Sequence, residues 1–186
     1  PQGAAQAFEA ASTGRSRSFE LPVELSLSVR NSLAKAQSAN VVGLLRGSDP
    51  ALAGEYVVLT AHLDHLGRGV AIDGDDIYNG ALDNAAGISI LLETARALAD
   101  SPVRPRRSVL FLAVTAEERG LLGSYHFAEH PTVPQAAIVA NINTDMPEAL
   151  FPVAGMILLG APHTTLGDTA RAALAAEGLV EVPDPT

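Results

Sequence analysis

From Val23 to Arg30 the chain alternates, with Val23, Leu25, Leu27 and Val29 apolar and Glu24, Ser26, Ser28 and Arg30 polar. A period of two predicts a strand with one face buried and one face wet. Beyond it the pattern changes to short continuous apolar runs: Val41 to Leu45, Tyr56 to Leu59, Val109 to Val114, Ala136 to Ile142 and Met156 to Leu159. Short runs rich in Val, Ile and Leu predict strands covered on both faces. Between them, residues 84–99 carry Ile88, Leu91, Leu92, Ala95 and Leu98 at helical spacing, and shorter helices are expected over 118–129 and 165–177. Strands alternating with helices predict an α/β fold, a mostly parallel or mixed central sheet with helices on both faces. The first twenty residues are rich in Ala, Gln, Gly and Ser and lack a clear period. They read as a linker or edge segment, 1–20, ahead of a domain over 21–186.

Composition narrows the chemistry. The length of 186 residues suits one α/β domain, and 47% hydrophobic residues with a mean hydropathy of +0.20 exclude disorder throughout. Lys and Arg number 12 against 21 Asp and Glu, a net charge of −9, and Lys35 alone carries an ammonium. A nucleic-acid partner needs a basic stripe, so none is expected. Cysteine is absent, which excludes disulfides, a thiolate metal site and a catalytic thiol. No apolar run approaches the roughly 18–20 residues of a membrane-spanning helix, so no membrane span is expected. The chain opens at Pro1 with no Met and no basic-then-apolar leader, as expected of a processed or trimmed piece.

In open α/β sheets, ligands gather outside the carboxyl ends of the strands. The run from Tyr56 leads to His62 and Asp64, the run from Val109 to Glu117 and Glu118, and the run from Ala136 to Asp145. The loop entering the helix over 84–99 carries Asp83. Five carboxylates and one imidazole therefore share one rim. His62 and Asp64, two apart, point to one face of an extended segment, where Asp64 can hold the second ring nitrogen of a metal-binding His62. The same pair also fits an ordinary polar strand end. Asp83 is either the N-cap of the following helix or a carboxylate bridging two cations about 3.5–4 Å apart. Glu117 and Glu118 suit the positive end of a helix dipole, but as neighbours they diverge, so one can ligate a metal while the other acts as general base. Asp145, ahead of Pro147, is a turn residue or a ligand.

The remaining histidines are weaker candidates. His65 lies in a Gly-rich loop, His126 and His130 flank the end of a short helix, and His163 follows an apolar strand. Phosphate-loop, dinucleotide and Gly-x-Ser-x-Gly motifs are absent. Asp73-Gly74-Asp75-Asp76 opens like a calcium loop, but the twelfth position is Asn84 and no Glu closes it, so it reads as a turn.

Four segments in this order carry a resemblance: Ala61-His62-Leu63-Asp64-His65-Leu66-Gly67, Tyr78-Asn79-Gly80-Ala81-Leu82-Asp83-Asn84-Ala85-Ala86-Gly87, Thr115-Ala116-Glu117-Glu118-Arg119-Gly120-Leu121-Leu122-Gly123-Ser124, and Asn143-Thr144-Asp145-Met146. They closely resemble the co-catalytic zinc aminopeptidase family of bacterial secreted aminopeptidases, plasma glutamate carboxypeptidase and the transferrin-receptor ectodomain. The likeness runs from about Val41 to the end. It implies a zinc-exopeptidase (phosphorylase/hydrolase-like) fold acting on peptide substrates. It also implies two zinc ions, His62, Asp83 and Asp145 holding one, Asp83 and Glu118 the other. Glu117 becomes the general base and Asp64 stands behind His62. By the same resemblance the protein is expected outside the cell or in the periplasm, and its parent chain can carry a protease-associated domain.

The resemblance is incomplete. The family's second zinc also takes a histidine from a segment after a motif like Val182-Pro183-Asp184-Pro185, and the chain stops at Thr186. The family's opening helix and strand are likewise not visible. A partial catalytic domain, truncated at both ends, is expected, with His163 the remote substitute ligand. Two other functions fit the same motifs: a catalytically silent scaffold of the transferrin-receptor type, and an acyltransferase like the glutaminyl cyclases. Retention of His62, Asp83, Glu117, Glu118 and Asp145 together argues against the scaffold, and the reaction product separates peptidase from cyclase.

Overall fold

Two apolar strands occupy the middle of the sheet, each flanked by a strand on either side. β2 (Tyr56–His62) and β5 (Ser108–Val114) run parallel, in register from Tyr56 opposite Ser108 to His62 opposite Val114. β1 (Val41–Leu45) lies antiparallel on the far side of β5, and β6 (Ile138–Asn143) lies parallel on the far side of β2. The order is β1-β5-β2-β6. The computed structural model describes residues 2–15, 24, 26–148 and 150–183, divided into one unit over 1–36 and another over 37–186.

Coverage on both faces holds for the central pair and fails at the edges. Val41 and Leu44 of β1 and Val139 and Ile142 of β6 are exposed, since each strand has a single neighbour. The run from Met156 to Leu159 does not join this sheet. Only Gly155–Met156 (β7) is extended, paired with β8 (Val180–Glu181) in a separate two-stranded piece, and Ile157 and Leu159 are exposed.

In the first unit, Gln2–Ser12 forms helix α1, where the sequence pattern announces only a linker. Its alanines supply helix propensity in place of a regular apolar stripe. The alternating segment does not become a strand: Glu24 and Ser26 to Arg30 pair with nothing among the described residues, and Leu27 and Val29 stand exposed. Without a partner to take up its backbone hydrogen bonds, alternation alone makes no sheet. Val23 and Leu25 lie outside the described residues.

Helix α2 (Gly87–Asp100) follows β2, and helix α3 (Leu122–Glu129) links β5 to β6. The two connections run in opposite directions across the sheet, so right-handed crossovers put α2 and α3 on opposite faces. On one face Phe127 packs against Val58, Leu110, Leu112 and Val114. Leu91 of α2 is buried, whereas Leu92, one residue round the helix, is exposed despite its place in the expected stripe. Helix α4 (Leu166–Ala176) lies close to the expected 165–177. Ahead of α2 stands a hairpin, β3 (Gly67–Ile72) and β4 (Asp75–Tyr78). It turns at Asp73-Gly74, both with positive φ, 51° and 89°, as a two-residue hairpin turn requires. Among the described residues no helix is long and apolar enough to cross a membrane. Since the chain leaves β2 and β5 toward opposite faces, their carboxyl ends form the kind of switch point at which open sheets bind ligands.

Candidate metal centre

His62 closes β2 and is 2% exposed. Leu63 N–H donates to the Val114 carbonyl at 2.9 Å, so the chain stays on β5 just past the histidine. The ring is oriented by Asp64, but through its main-chain carbonyl, 2.9 Å from His62 Nδ1, and not through its carboxylate. The chain turns after Leu63, which brings the carbonyl round to the ring. The Asp64 carboxylate instead faces the Glu117 N–H at 3.5 Å. With Nδ1 engaged, Nε2 points into the crevice, 2.9 Å from Asp83 Oδ1 and 3.3 Å from Asp145 Oδ1. Burial opposes a proton on His62, yet its pKa is raised, because the Asp64 carbonyl and the Asp145 and Glu117 carboxylates outweigh that penalty.

Asp83 does not cap α2. It lies in the turn Ala81–Ala86, where Asp83 and Asn84 leave helical geometry. Asn84, 2% exposed, takes the capping role: its Oδ1 accepts the Gly87 N–H at 2.9 Å. Its Nδ2 donates to the Thr144 carbonyl, also at 2.9 Å, which ties this turn to the loop carrying Asp145. The Asp83 carboxylate is left free of helix duty. Its second oxygen, Oδ2, lies 3.8 Å from His65 Nδ1.

Glu117 and Glu118 stand on a short 3-10 turn, Glu117–Arg119, ahead of α3, so the helix expected over 118–129 is interrupted at Gly120 and Leu121. Ala116 and Leu121 have φ of 53° and 60°, a left-handed conformation that costs a non-glycine residue about 1–2 kcal/mol. Asn40 holds the segment: its Oδ1 accepts from Thr115 N–H at 3.1 Å and its Nδ2 donates to the Gly123 carbonyl at 2.8 Å. Gly123 N–H in turn donates to the Thr115 carbonyl at 2.9 Å. The bend sends the two glutamates apart. Glu118 Oε1 meets His65 Nδ1 at 2.6 Å, and Glu117 lines a cavity of about 470 Å³ with His62 and Asp145 at the same end and Leu112, Leu121 and Phe127 along its wall. The Glu117 pKa is raised, first by burial and then by the Glu118, Asp145 and Asp83 carboxylates, against the lowering effect of His62.

Two groups of potential ligands result, His62–Asp83–Asp145 and His65–Asp83–Glu118, each with donor atoms within 4.8 Å of one another. Asp83 belongs to both and offers one oxygen to each. The donors are imidazole nitrogen and carboxylate oxygen, a set that suits zinc and similar divalent ions. Buried His65 Nδ1 and Glu118 Oε1 have no hydrogen-bond partner among the described residues, not even each other. Buried polar atoms left unpaired are costly, and a cation between them satisfies both. The residues present therefore fit a divalent metal ion. His65 is the residue that strand-end reasoning passes over, since it comes from the loop before β3. His126, His130 and His163 are exposed and lie in neither group.

A chain with this sheet and a shared carboxylate at its crevice is compared most directly with metallopeptidases. Residues 40–186 match Peptidase family M28, and the chain belongs to that family. Aminopeptidase NAALADL1 of Mus musculus is 34% identical over 151 residues, 78% of this chain and 18% of the relative. A probable zinc metalloprotease of Pyrenophora teres f. teres (strain 0-1) is 35% identical over 107 residues, 57% of this chain and 22% of the relative. The chain thus spans about a fifth of the length of these relatives. In fold it resembles the aminopeptidase from Aneurinibacillus sp. strain AM-1, with a TM-score of 0.59 at 20% identity, covering 76% of this chain and 32% of that one.

Proposed function

We propose that the chain carries the catalytic centre of a zinc-dependent exopeptidase of the aminopeptidase kind. His62, Asp83 and Asp145 hold one ion, Asp83 and Glu118 contribute to a second, and Glu117 is the general base. The observation that carries this reading is Asp83, whose two oxygens face two separate imidazole–carboxylate groups. The names of the mouse and fungal relatives, an aminopeptidase and a zinc metalloprotease, support the substrate class and the metal.

Zinc held by these residues would supply Lewis acidity to the peptide carbonyl and acidify a water molecule. The chain supplies the rest. His62, its Nδ1 fixed on the Asp64 carbonyl, keeps Nε2 aimed at the crevice without rearrangement. Glu117, close to this group but outside both ligand sets, accepts the proton of the attacking water and returns it to the leaving amine. Asp64 is a positioning residue, meeting His62 through its carbonyl and the Glu117 N–H through its carboxylate.

Glu117→Gln tests the reading. Release of the N-terminal amino acid from a short peptide should fall by about 10²–10⁴-fold, the usual loss for a general base, with zinc content unchanged. Undiminished turnover removes Glu117 as base, and a pyroglutamyl product in place of a free amino acid makes the chemistry that of a cyclase.

A further inference from the structure

The end of α3 carries two histidines that the crevice does not use. His126 and His130 stand four residues apart, one helical turn, and both are exposed. Their ring centres are 5.0 Å apart and the ring planes are inclined at 51°, so the rings are close neighbours without stacking in parallel. Two imidazoles that bind one zinc ion through nitrogen at about 2.0–2.1 Å also hold their ring centres about 5 Å apart. The backbone fixes this spacing: His130 N–H donates to the His126 carbonyl at 2.8 Å, which closes the turn between them. We propose that His126 and His130 form a peripheral site for a divalent transition-metal ion, separate from the ligands at the ends of β2 and β6.

The donor chemistry and the local field both favour such an ion. Imidazole nitrogen suits zinc, nickel and copper, whereas calcium and magnesium take oxygen ligands. Neither histidine belongs to a group of three potential ligands, so the protein supplies two nitrogens and water completes the coordination. The pair lies at the carboxyl end of α3, where the helix dipole is negative, and Glu129 adds a carboxylate to the same turn. Chelation by residues four apart requires that turn to stay helical, so a bound ion holds the end of α3. Phe127 and Ala128, between the two ligands in the chain, line the cavity that Glu117 also lines, and Phe127 packs on Val58, Leu110, Leu112 and Val114. The ion therefore steadies one wall of the cavity from the solvent side.

Copper binding read residue by residue tests the site. The unaltered protein is loaded with zinc, desalted and titrated with copper(II), while the ring signals of its five histidines are followed by NMR. Two ligands held together bind far better than one, so His126 and His130 should broaden together at a copper concentration about tenfold or more below that for His163, an exposed histidine in neither group. His126→Ala and His130→Ala should each weaken copper binding about tenfold or more, and His163→Ala should leave it unchanged. Excess zinc should slow hydrogen exchange of the His130 amide in the unaltered protein and not in His126→Ala. Unchanged affinity in His126→Ala, or broadening of His163 at the same copper concentration, reduces the pair to independent surface imidazoles and overturns the proposal. Broadening confined to His62 and His65 overturns it as well, the crevice alone having taken the metal. Unslowed exchange at His130 overturns the claim that the ion holds the turn.

Discussion

His62 and Asp145 are delivered by the last residue of β2 and by the residue two beyond the end of β6, whereas His65 and Glu118 come from a loop and a 3-10 turn. The first pair inherits the rigidity of a sheet. His62 is in register with Val114, its ring is fixed on the Asp64 carbonyl, and Thr144 N–H donates to the Thr60 carbonyl at 2.9 Å just before Asp145. Glu118 depends on backbone held in left-handed conformations at Ala116 and Leu121 and on one asparagine, Asn40, and His65 on the room that Gly80 leaves beside its ring. Half of the centre is set by the fold and half by local devices fastened to it.

Asp83 joins the two halves, so its loss should have the largest effect. Asp83→Ala should take the protein from two retained zinc ions to none, measured by elemental analysis after desalting, and hydrolysis should disappear with them. Two retained ions would remove Asp83 as the bridge, and the halves would then be two independent sites. Asn84→Ala should act next in size and on one half more than the other. It strips the cap from Gly87 N–H and unties the Asp83 turn from Thr144. Denaturant unfolding of the metal-free protein should show a loss of about 1–3 kcal/mol, the cost of buried groups left unpaired. Zinc competition should show the His62 site weakened by about 10–100-fold, as when an outer partner of a ligand is removed. An equal loss at both sites would confine the role of Asn84 to the Asp83 turn.

What could be read from the residues follows the same division. The rule that open sheets bind at strand ends points to His62, Glu117, Glu118 and Asp145 as candidates, because apolar runs mark the strands that deliver them. Asp83 comes with a competing role, since Asp and Asn cap helices equally well and two adjacent candidates leave the choice to the backbone. Asn84 takes it. His65 escapes because its place depends on Gly80, fifteen positions away in a different turn, and no local period links the two. The left-handed backbone at Ala116 and Leu121 is invisible for a related reason: neither is a glycine or asparagine, and tertiary hydrogen bonds impose the conformation. Val23 to Arg30 errs the other way, showing a strand's alternation without a strand to pair with.

The smallest effect concerns Glu117 itself and asks whether the base is held at the expense of stability. Its folded pKa is raised above the ordinary value of 4.5, first by burial and then by Glu118, Asp145 and Asp83, partly offset by His62. A carboxyl whose folded pKa is raised costs the fold nothing below the unfolded value, where both states are protonated. As pH rises past 4.5 the unfolded chain ionises first, and the penalty grows until the folded group ionises too, then stays constant. Glutamine has no such transition. Metal-free Glu117→Gln should therefore be more stable than the unaltered protein at neutral pH, with the difference closing as pH falls through the mid-4 range, measured by denaturant unfolding at a series of pH values. Metal-free protein is required, because bound cations would reverse the electrostatics at this carboxylate. A variant less stable at neutral pH would mean that Glu117 is stabilised as an anion by its surroundings, and that the crevice holds the proton acceptor at no cost to the fold.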